Sequence, residues 1–254
     1  MTLAGKAIRL KRIFQADGRS LIFAFDHGSF MGPVKGSERP SEILAKVVAA
    51  GVDAVMTSLG LLKMYASSLA RKNLGWILTL QDKSPSTIPW SVKAASNHGA
   101  DAVKYFVKIG GENERQELET LWALSVTAAD YGIPVLAEMY PAKPSMASAV
   151  EISKMARIGA EYGADFIKTM YTGGVESFRY VVRSCPVPVV VLGGEFMESD
   201  TEVLRMVYDS LSAGGAGVAF GRNIFQHPNP EKITEALYAL IHGGLSPEKL
   251  LPLT

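Results

Sequence analysis

The chain's hydrophobic pattern predicts an α/β fold closed as a single (β/α)8 TIM barrel, and three observations carry the prediction. The apolar period alternates between two and 3.6, giving eight strand-like runs that are each followed by an amphipathic stretch. Glycines stand where helical stretches must stop, as at Gly51, Gly132 and Gly163. The strand-like runs end on polar or glycine-rich clusters, as expected of a barrel that gathers its chemistry at the C-terminal ends of its strands. The rival fold, a doubly wound open sheet, carries a glycine fingerprint after its first strand. Here that place holds Asp26-His27-Gly28. At 254 residues the whole chain, 1–254, reads as one barrel domain, with 1–20 as an N-terminal lead-in.

In order, the first strand is Leu21-Ile22-Phe23-Ala24-Phe25, followed by a helix over about Pro40 to Ala50. Val52 to Thr57 is the second strand, with a helix over about Leu61 to Arg71. Trp76 to Leu80 is the third, and after Pro85 and Pro89 its helix reaches Asn97-His98-Gly99. The fourth strand is Ala102 to Lys108, and a long Glu-rich helix runs from about Glu112 to Tyr131. Pro134 to Glu138 supplies the fifth, running out onto Met139-Tyr140-Pro141, with a helix over about Ser148 to Tyr162. The sixth is the strand around Phe166-Ile167-Lys168-Thr169, with a helix from about Val175 to Ser184. Val187 to Leu192 is the seventh, with its helix from about Asp200 to Ala213. The eighth is Gly217 to Phe220, which leads past Gly221-Arg222-Asn223 to a last helix over about Asn229 to Ile241.

Bulk properties exclude several classes. The 26 basic and 25 acidic residues leave a net charge of +1, too little to attract nucleic acid or an anionic membrane. No apolar run approaches the roughly 20 residues that span a bilayer. Lys6, Arg9, Lys11 and Arg12 interrupt the N-terminal apolar residues, so no leader peptide is expected and a cytoplasmic location is. The single Cys185 excludes an internal disulfide. His27, His98, His227 and His242 are scattered, so no metal or other cofactor is expected; His98 and His242 read as helix-end residues.

Lys168 asks for a chemical reason, because a buried strand rarely accepts a lysine. Burial disfavours the charged form of an amine, and a neutral amine attacks a carbonyl to give a Schiff base. Alternation puts Phe166 and Met170 on the face of Lys168 and turns Ile167 and Thr169 to the helices. The same parity points Asp26 inward, opposite Phe23 and Phe25. A carboxylate there orients an amine or a hydroxyl, or else caps a helix. His27 falls on the alternate face, with a structural and an acid-base role both open. Glu138 and Tyr140 share the inner face of the fifth strand. Tyr140 is read as a proton carrier or a rim aromatic, and Glu138 as an acid-base group or the counter-charge of Lys104 or Lys108. Those two lysines point inward on the fourth strand and rival Lys168 as the reactive amine. Gln81 ends the third strand. Gly193-Gly194 and Gly221-Arg222 stand where barrels commonly bind phosphate, with close backbone N–H groups and one guanidinium fork.

These residues give the chain a resemblance to archaeal-type class I fructose-bisphosphate aldolases of the DhnA group, in the DeoC/LacD aldolase superfamily, which also holds synthases making amino-dideoxy-heptulosonate. The resemblance runs from Asp17-Gly18-Arg19-Ser20 to Gly221-Arg222-Asn223 and is most specific at Asp26-His27-Gly28, Tyr140-Pro141, the Lys168 strand and the two glycine turns. It implies that Lys168 forms the Schiff base, that Tyr140 donates and accepts the proton, and that Asp26 assists at the C–C bond. It also implies phosphate binding at Gly194, Gly221 and Arg222, and a ring-shaped homo-oligomer, a pentamer or decamer. Three departures stand around the pocket: Glu138 where many relatives carry Trp, Leu192 where they carry Ser, and Lys104 and Lys108 on a strand that is usually less basic. The expected function is that of a metal-independent class I aldolase acting on a phosphorylated ketose. The default substrate is fructose 1,6-bisphosphate or a related ketose phosphate, giving dihydroxyacetone phosphate and an aldehyde. The alternatives are a transaldolase-like synthase of the same family and a non-catalytic sugar-phosphate-binding barrel in which Glu138 silences Lys168.

Overall fold

The computed structural model describes residues 4–71, 73–81 and 84–253. Its eight strands are β1 (Ser20–Phe25), β2 (Ala54–Thr57), β3 (Gly75–Thr79), β4 (Ala102–Ile109), β5 (Val135–Pro141), β6 (Phe166–Thr169), β7 (Val189–Leu192) and β8 (Gly217–Phe220). They are parallel and hydrogen-bonded in sequence order, and β8 closes on β1 to complete the expected barrel. The helices are α1 (Ala4–Ile13), α2 (Gly28–Met31), α3 (Pro40–Ala50), α4 (Leu59–Leu69), α5 (Ile88–Asn97) and α6 (Glu114–Asp130), then α7 (Ala149–Glu161), α8 (Val175–Ser184), α9 (Asp200–Ser212), α10 (Arg222–Phe225), α11 (Pro230–Gly243) and α12 (Pro247–Leu250). No helix among the described residues is long and apolar enough to cross a membrane.

Strand alternation builds two cores. Phe23, Val55, Leu78, Val103, Ala137, Ile167, Val191 and Val218 turn outward against the helices. Ile22, Ala24, Met56, Ile77, Leu136, Phe166 and Val190 fill the barrel interior, with Ala54, Ala102 and Ala219 as small neighbours to the large side chains. Met170 departs from the expected face of Lys168. The strand ends at Thr169, alternation lapses, and Met170 packs on the outer core.

The lead-in segment contains a helix that the sequence reading did not expect. α1 lies across the N-terminal end of the barrel, where Leu10, Ile13 and Phe14 pack against the interior core and the Phe14 ring meets Phe166 edge-on at 5.3 Å. Its polar side chains meet a ring of aspartates. Gly51-Val52-Asp53, Gly99-Ala100-Asp101 and Gly163-Ala164-Asp165 precede β2, β4 and β6, each with its glycine in the left-handed region. The N–H of each aspartate donates to the carbonyl of Leu21, Trp76 or Val135 at 3.0, 2.6 and 2.8 Å. Its carboxylate accepts the N–H of that same residue at 2.6, 3.0 and 2.8 Å. Gln15, Arg12 and Lys6 bind the other carboxylate oxygens at 2.7, 2.8 and 3.0 Å, so this end is a closed hydrogen-bonded plate. Before β8 the motif recurs as Gly214-Gly215-Ala216, with alanine in place of aspartate. His242, read from sequence as a helix-end residue, joins the plate. Its two ring nitrogens lie 2.8 Å from Asp17 and 2.9 Å from Asp53.

Candidate active site

At the opposite end the interior turns polar. One layer above the apolar core, the inward positions hold Asp26, Thr79, Lys104, Glu138 and Lys168, all buried. They line a cavity of about 430 Å³ with Tyr140, His27, Gly193, Gly194, Gly221 and Arg222. The cavity therefore brings together every sequence-predicted site residue except Lys108, which lies past the rim, and it includes His27, which strand parity alone puts on the other face.

Strand register explains the centre. Glu138 is the direct neighbour of Lys168 across β5 and β6, and its Oε1 lies 2.9 Å from Lys168 Nζ. Its Oε2 lies 2.6 Å from Lys104 Nζ, so one carboxylate bridges two ammonium groups. Lys104 also reaches Asp26 at 3.4 Å, and Thr79 donates to the same Asp26 oxygen at 2.8 Å. Burial alone would raise the Asp26 carboxyl, but Lys104, Lys168 and His27 hold it down at about 2, so it is an anion at any physiological pH. Burial also works against the Glu138 anion, and Lys104 and Lys168 outweigh it and pull the carboxyl below its ordinary value. For Lys104 burial favours the neutral amine, yet Glu138 and Asp26 raise it above the usual lysine value. Both carboxylates thus favour the charged form of Lys104. Lys108 has the inner parity but is exposed beyond the end of the cavity, which corrects its placement as a candidate reactive amine. Lys168 is buried as expected, and its amine is half of a buried ion pair with Glu138.

Asp26 leaves β1 as the chain enters α2, where Ser29 donates both its hydroxyl (2.6 Å) and its N–H (3.1 Å) to the Asp26 carbonyl. His27 follows, with Nδ1 3.7 Å from Asp26 Oδ1 and its ring against Phe225 and Phe30. Burial pushes its imidazole down towards the neutral form against the pull of Asp26. Gly221 makes that packing possible, because a Cβ there would stand 2.4 Å from His27 Cε1 and 2.5 Å from the Ala24 carbonyl. Tyr140 lies half-buried on the wall, its ring 5.8 Å from Phe106.

Across the cavity, Asn223 ties the two glycine turns together. Its Nδ2 donates to Gly193 O at 2.8 Å and its Oδ1 accepts from Met197 N at 2.8 Å. Gly194 takes φ +69, which a side chain would disfavour. Arg222 opens α10, and its buried Nε has no partner among the described residues. Sequence reasoning missed Thr79, whose type is ordinary in any strand, and the pair Phe30 and Met31 on the rim. These two are 63% and 51% exposed, and only the position of α2 reveals them. No group of three or more His, Cys, Asp or Glu side chains suited to a metal occurs among the described residues.

Comparison with known proteins gives a consistent picture. Residues 20–227 match the model of the DeoC/LacD family aldolases. The chain is 37% identical to a 2-amino-3,7-dideoxy-D-threo-hept-6-ulosonate synthase of Archaeoglobus fulgidus, over 98% of this chain and 95% of that one. It is 34% identical to the synthase of the same name from Halobacterium salinarum, over 99% and 97%. Among solved structures it is similar to a Schiff-base-forming fructose-1,6-bisphosphate aldolase, with TM-score 0.82, 28% identity, and 93% of this chain and 100% of that one covered. It is also similar to an archaeal fructose-1,6-bisphosphate aldolase whose catalytic lysine is covalently bound to the carbinolamine intermediate, with TM-score 0.81, 27% identity, and 93% and 99% covered.

Proposed function

We propose how this chain, which belongs to the DeoC/LacD aldolase family and is a class I aldolase, performs its Schiff-base chemistry: Lys168 is the nucleophile, on a phosphorylated ketose held by Arg222 and the glycine turns. The observation that carries the reading is Lys168 Nζ itself, an amine on the inner face of β6 that lines the cavity at the level of two carboxylates. An iminium at Lys168 withdraws the electron pair released when the adjacent C–C bond breaks, so the carbanion is stabilised as an enamine. The hydroxyl proton lost in that step goes to Tyr140, which lines the cavity. Asp26, held by Thr79 and Lys104, orients the hydroxyl. His27 supports Asp26 from the loop.

Among the described residues, Lys104 and Lys168 are engaged by carboxylates, whereas the Arg222 guanidinium faces the cavity with none. This supports a phosphate at the β7–β8 side, where backbone N–H groups of the Gly193-Gly194 turn accompany a guanidinium fork. The default substrate is fructose 1,6-bisphosphate or a related ketose phosphate. A second reading, transfer of the enamine fragment to a different acceptor, is supported by the two synthases at 37% and 34% identity. The non-catalytic barrel reading rested on a Lys168–Glu138 pair. That pair is present, but in a member of an aldolase family. A cytoplasmic homo-oligomer completes the proposal, supported by the exposed Trp90 and Trp122 on neighbouring helices α5 and α6.

Borohydride reduction during incubation with fructose 1,6-bisphosphate or dihydroxyacetone phosphate tests the reading. Mass spectrometry should place a stable secondary-amine adduct on the peptide holding Phe166-Ile167-Lys168-Thr169. An adduct on Lys104 would move the nucleophile, and no adduct with any phosphorylated ketose or ketone would overturn the site.

A further inference from the structure

We propose that Glu138 is the acid and base that forms and dehydrates the carbinolamine on Lys168, with Lys104 as the residue that positions its carboxylate. The inference rests on the Schiff-base reading and deepens it, because it assigns the proton transfers of imine formation to a residue other than Tyr140.

The geometry singles out Glu138. Of the two carboxylates in the cavity, Glu138 meets the Lys168 amine, at 2.9 Å, whereas Asp26 is spent on Thr79 and Lys104. Lys104 grips the other Glu138 oxygen at 2.6 Å, fixing the rotation of the carboxyl plane and leaving Oε1 on the reacting nitrogen. Glu138 is 8% exposed and Lys168 6%, so bulk water does not compete for the proton between them.

The resting ion pair also balances the reaction. The Lys168 ammonium gives one proton to the Glu138 carboxylate, leaving a neutral amine beside a carboxylic acid. The amine lone pair attacks the ketone carbon, a C–N bond forms, and the carbonyl π pair moves to oxygen. Glu138 gives its proton to that oxygen and takes one from the nitrogen, which yields the neutral carbinolamine. It then protonates the carbinolamine hydroxyl, the C–O bond breaks, water leaves, and the nitrogen lone pair forms the iminium. The sum is one ammonium and one ketone converted to one iminium and one water, with no proton taken up or released. Glu138 finishes as a carboxylate paired with a cation, as it began. The ion pair that would silence an isolated lysine is thus the correct starting state for this one.

Lys104 works through Glu138. It stays a cation through every step, so it strengthens Glu138 as an acid when the hydroxyl must leave. The charged and titratable groups around Glu138 are Lys104 on β4, Lys168 on β6, Asp26 and His27 after β1, Arg222 on α10 and Tyr140 on β5 itself.

The test measures the rate of borohydride-trappable adduct formation with dihydroxyacetone phosphate, after melting curves have established that each variant is folded. Glu138→Gln keeps the shape and removes the transferable proton, and trapping should slow roughly 10²–10⁴-fold, with the adduct still on Lys168. Because this variant leaves two buried cations without their shared anion, the double variant Glu138→Gln with Lys104→Met removes one charge of each sign and should trap equally slowly. Lys104→Met alone should trap, with the acid limb of its pH profile moved to higher pH, since the cation that holds the Glu138 carboxyl down is gone. Trapping at the wild-type rate by either Glu138→Gln variant, or an unmoved acid limb in Lys104→Met, would overturn the proposal. If the wild-type protein itself gives no adduct, it is the Schiff-base reading that fails.

Discussion

At the N-terminal end of the barrel Lys6 meets Asp165 at 2.8 Å, and at the C-terminal end Lys104 meets Glu138 at 2.6 Å, so the two mouths hold nearly the same ion pair. Their surroundings differ. Asp165 also accepts the Val135 N–H, and α1 covers the end with Leu10, Ile13 and Phe14. The Asp53, Asp101 and Asp165 carboxylates there each accept from a backbone N–H and from a side chain of the lead-in segment. At the other end Glu138 divides its oxygens between two lysines, and among the described residues the cavity lining sets three cations, Lys104, Lys168 and Arg222, against two carboxylates, Asp26 and Glu138. The surplus positive charge faces open space suited to an anionic substrate. Identical chemical groups give stability where their valences close and reactivity where they do not.

The sharpest way to break the comparison is to remove a lysine from the active end. Lys168→Met keeps the length and apolar stem, and leaves Glu138 still paired with Lys104. Turnover and borohydride trapping should fall to background while the melting temperature changes little. A variant that still traps on another lysine would dissociate the reactive amine from β6. Tyr140→Phe comes next: kcat should drop roughly 10²–10⁴-fold with normal folding. Turnover near wild type would transfer its proton to Asp26 or Glu138. Arg222→Ala should raise KM for a phosphorylated substrate by a loss of about 1.5–3 kcal/mol, and Arg222→Lys should recover part of it. Equal KM values would take Arg222 out of the phosphate site.

The plate at the far end should respond in stability alone, and unequally. Asp165→Ala strands the Val135 N–H and the Lys6 ammonium, whose side chain is only 11% exposed, so a cost of about 3–5 kcal/mol is expected. Asp101→Ala strands the Trp76 N–H, but Arg12 is half-exposed and returns to water, so the cost should be about 1–3 kcal/mol. Urea denaturation reads both, and kcat per folded molecule should match wild type. Equal costs would mean that burial of the cation is not what separates them.

The two ends were not equally legible in the sequence. The strands show because apolar runs repeat eight times, and glycine stops such as Gly51, Gly132 and Gly163 set several of them off from the preceding helix. The active end shows because a lysine, a glutamate and a tyrosine in such runs violate the expected burial and parity says where they point. The plate escaped because aspartate after a glycine turn is ordinary locally. Its meaning lies in partners 159, 89 and 38 residues away. A signal existed: Gly-x-Asp recurs at the same place before β2, β4 and β6, and a periodic motif on alternate strands of a barrel marks a shared layer. α1 escaped because its lysines and arginines alternate with apolar residues closely enough to blur the helical period. Thr79 and α2 show only once the barrel has closed.

The smallest expected effect lies in His242, which makes the plate sensitive to pH. Burial alone would lower its imidazole, but hydrogen bonds to Asp53 and Asp17 outweigh burial and raise it above the ordinary histidine value of 6.5. With an oxygen acceptor at each ring nitrogen, the imidazolium satisfies both contacts by donating twice. The sign follows from the raised folded value. The clamp's contribution is complete below the unfolded histidine pKa and is lost as pH rises through the higher folded one, because only the folded state holds the proton there. Melting temperatures of the wild-type protein and of His242→Gln, measured across the range around and above pH 6.5, should therefore differ most at the acidic end and converge as pH rises. Asp26, already down at about 2, adds no slope across that range. A gap between the two proteins that stays constant with pH would mean that His242 contributes packing against Tyr238, 4.6 Å away, and not a charge.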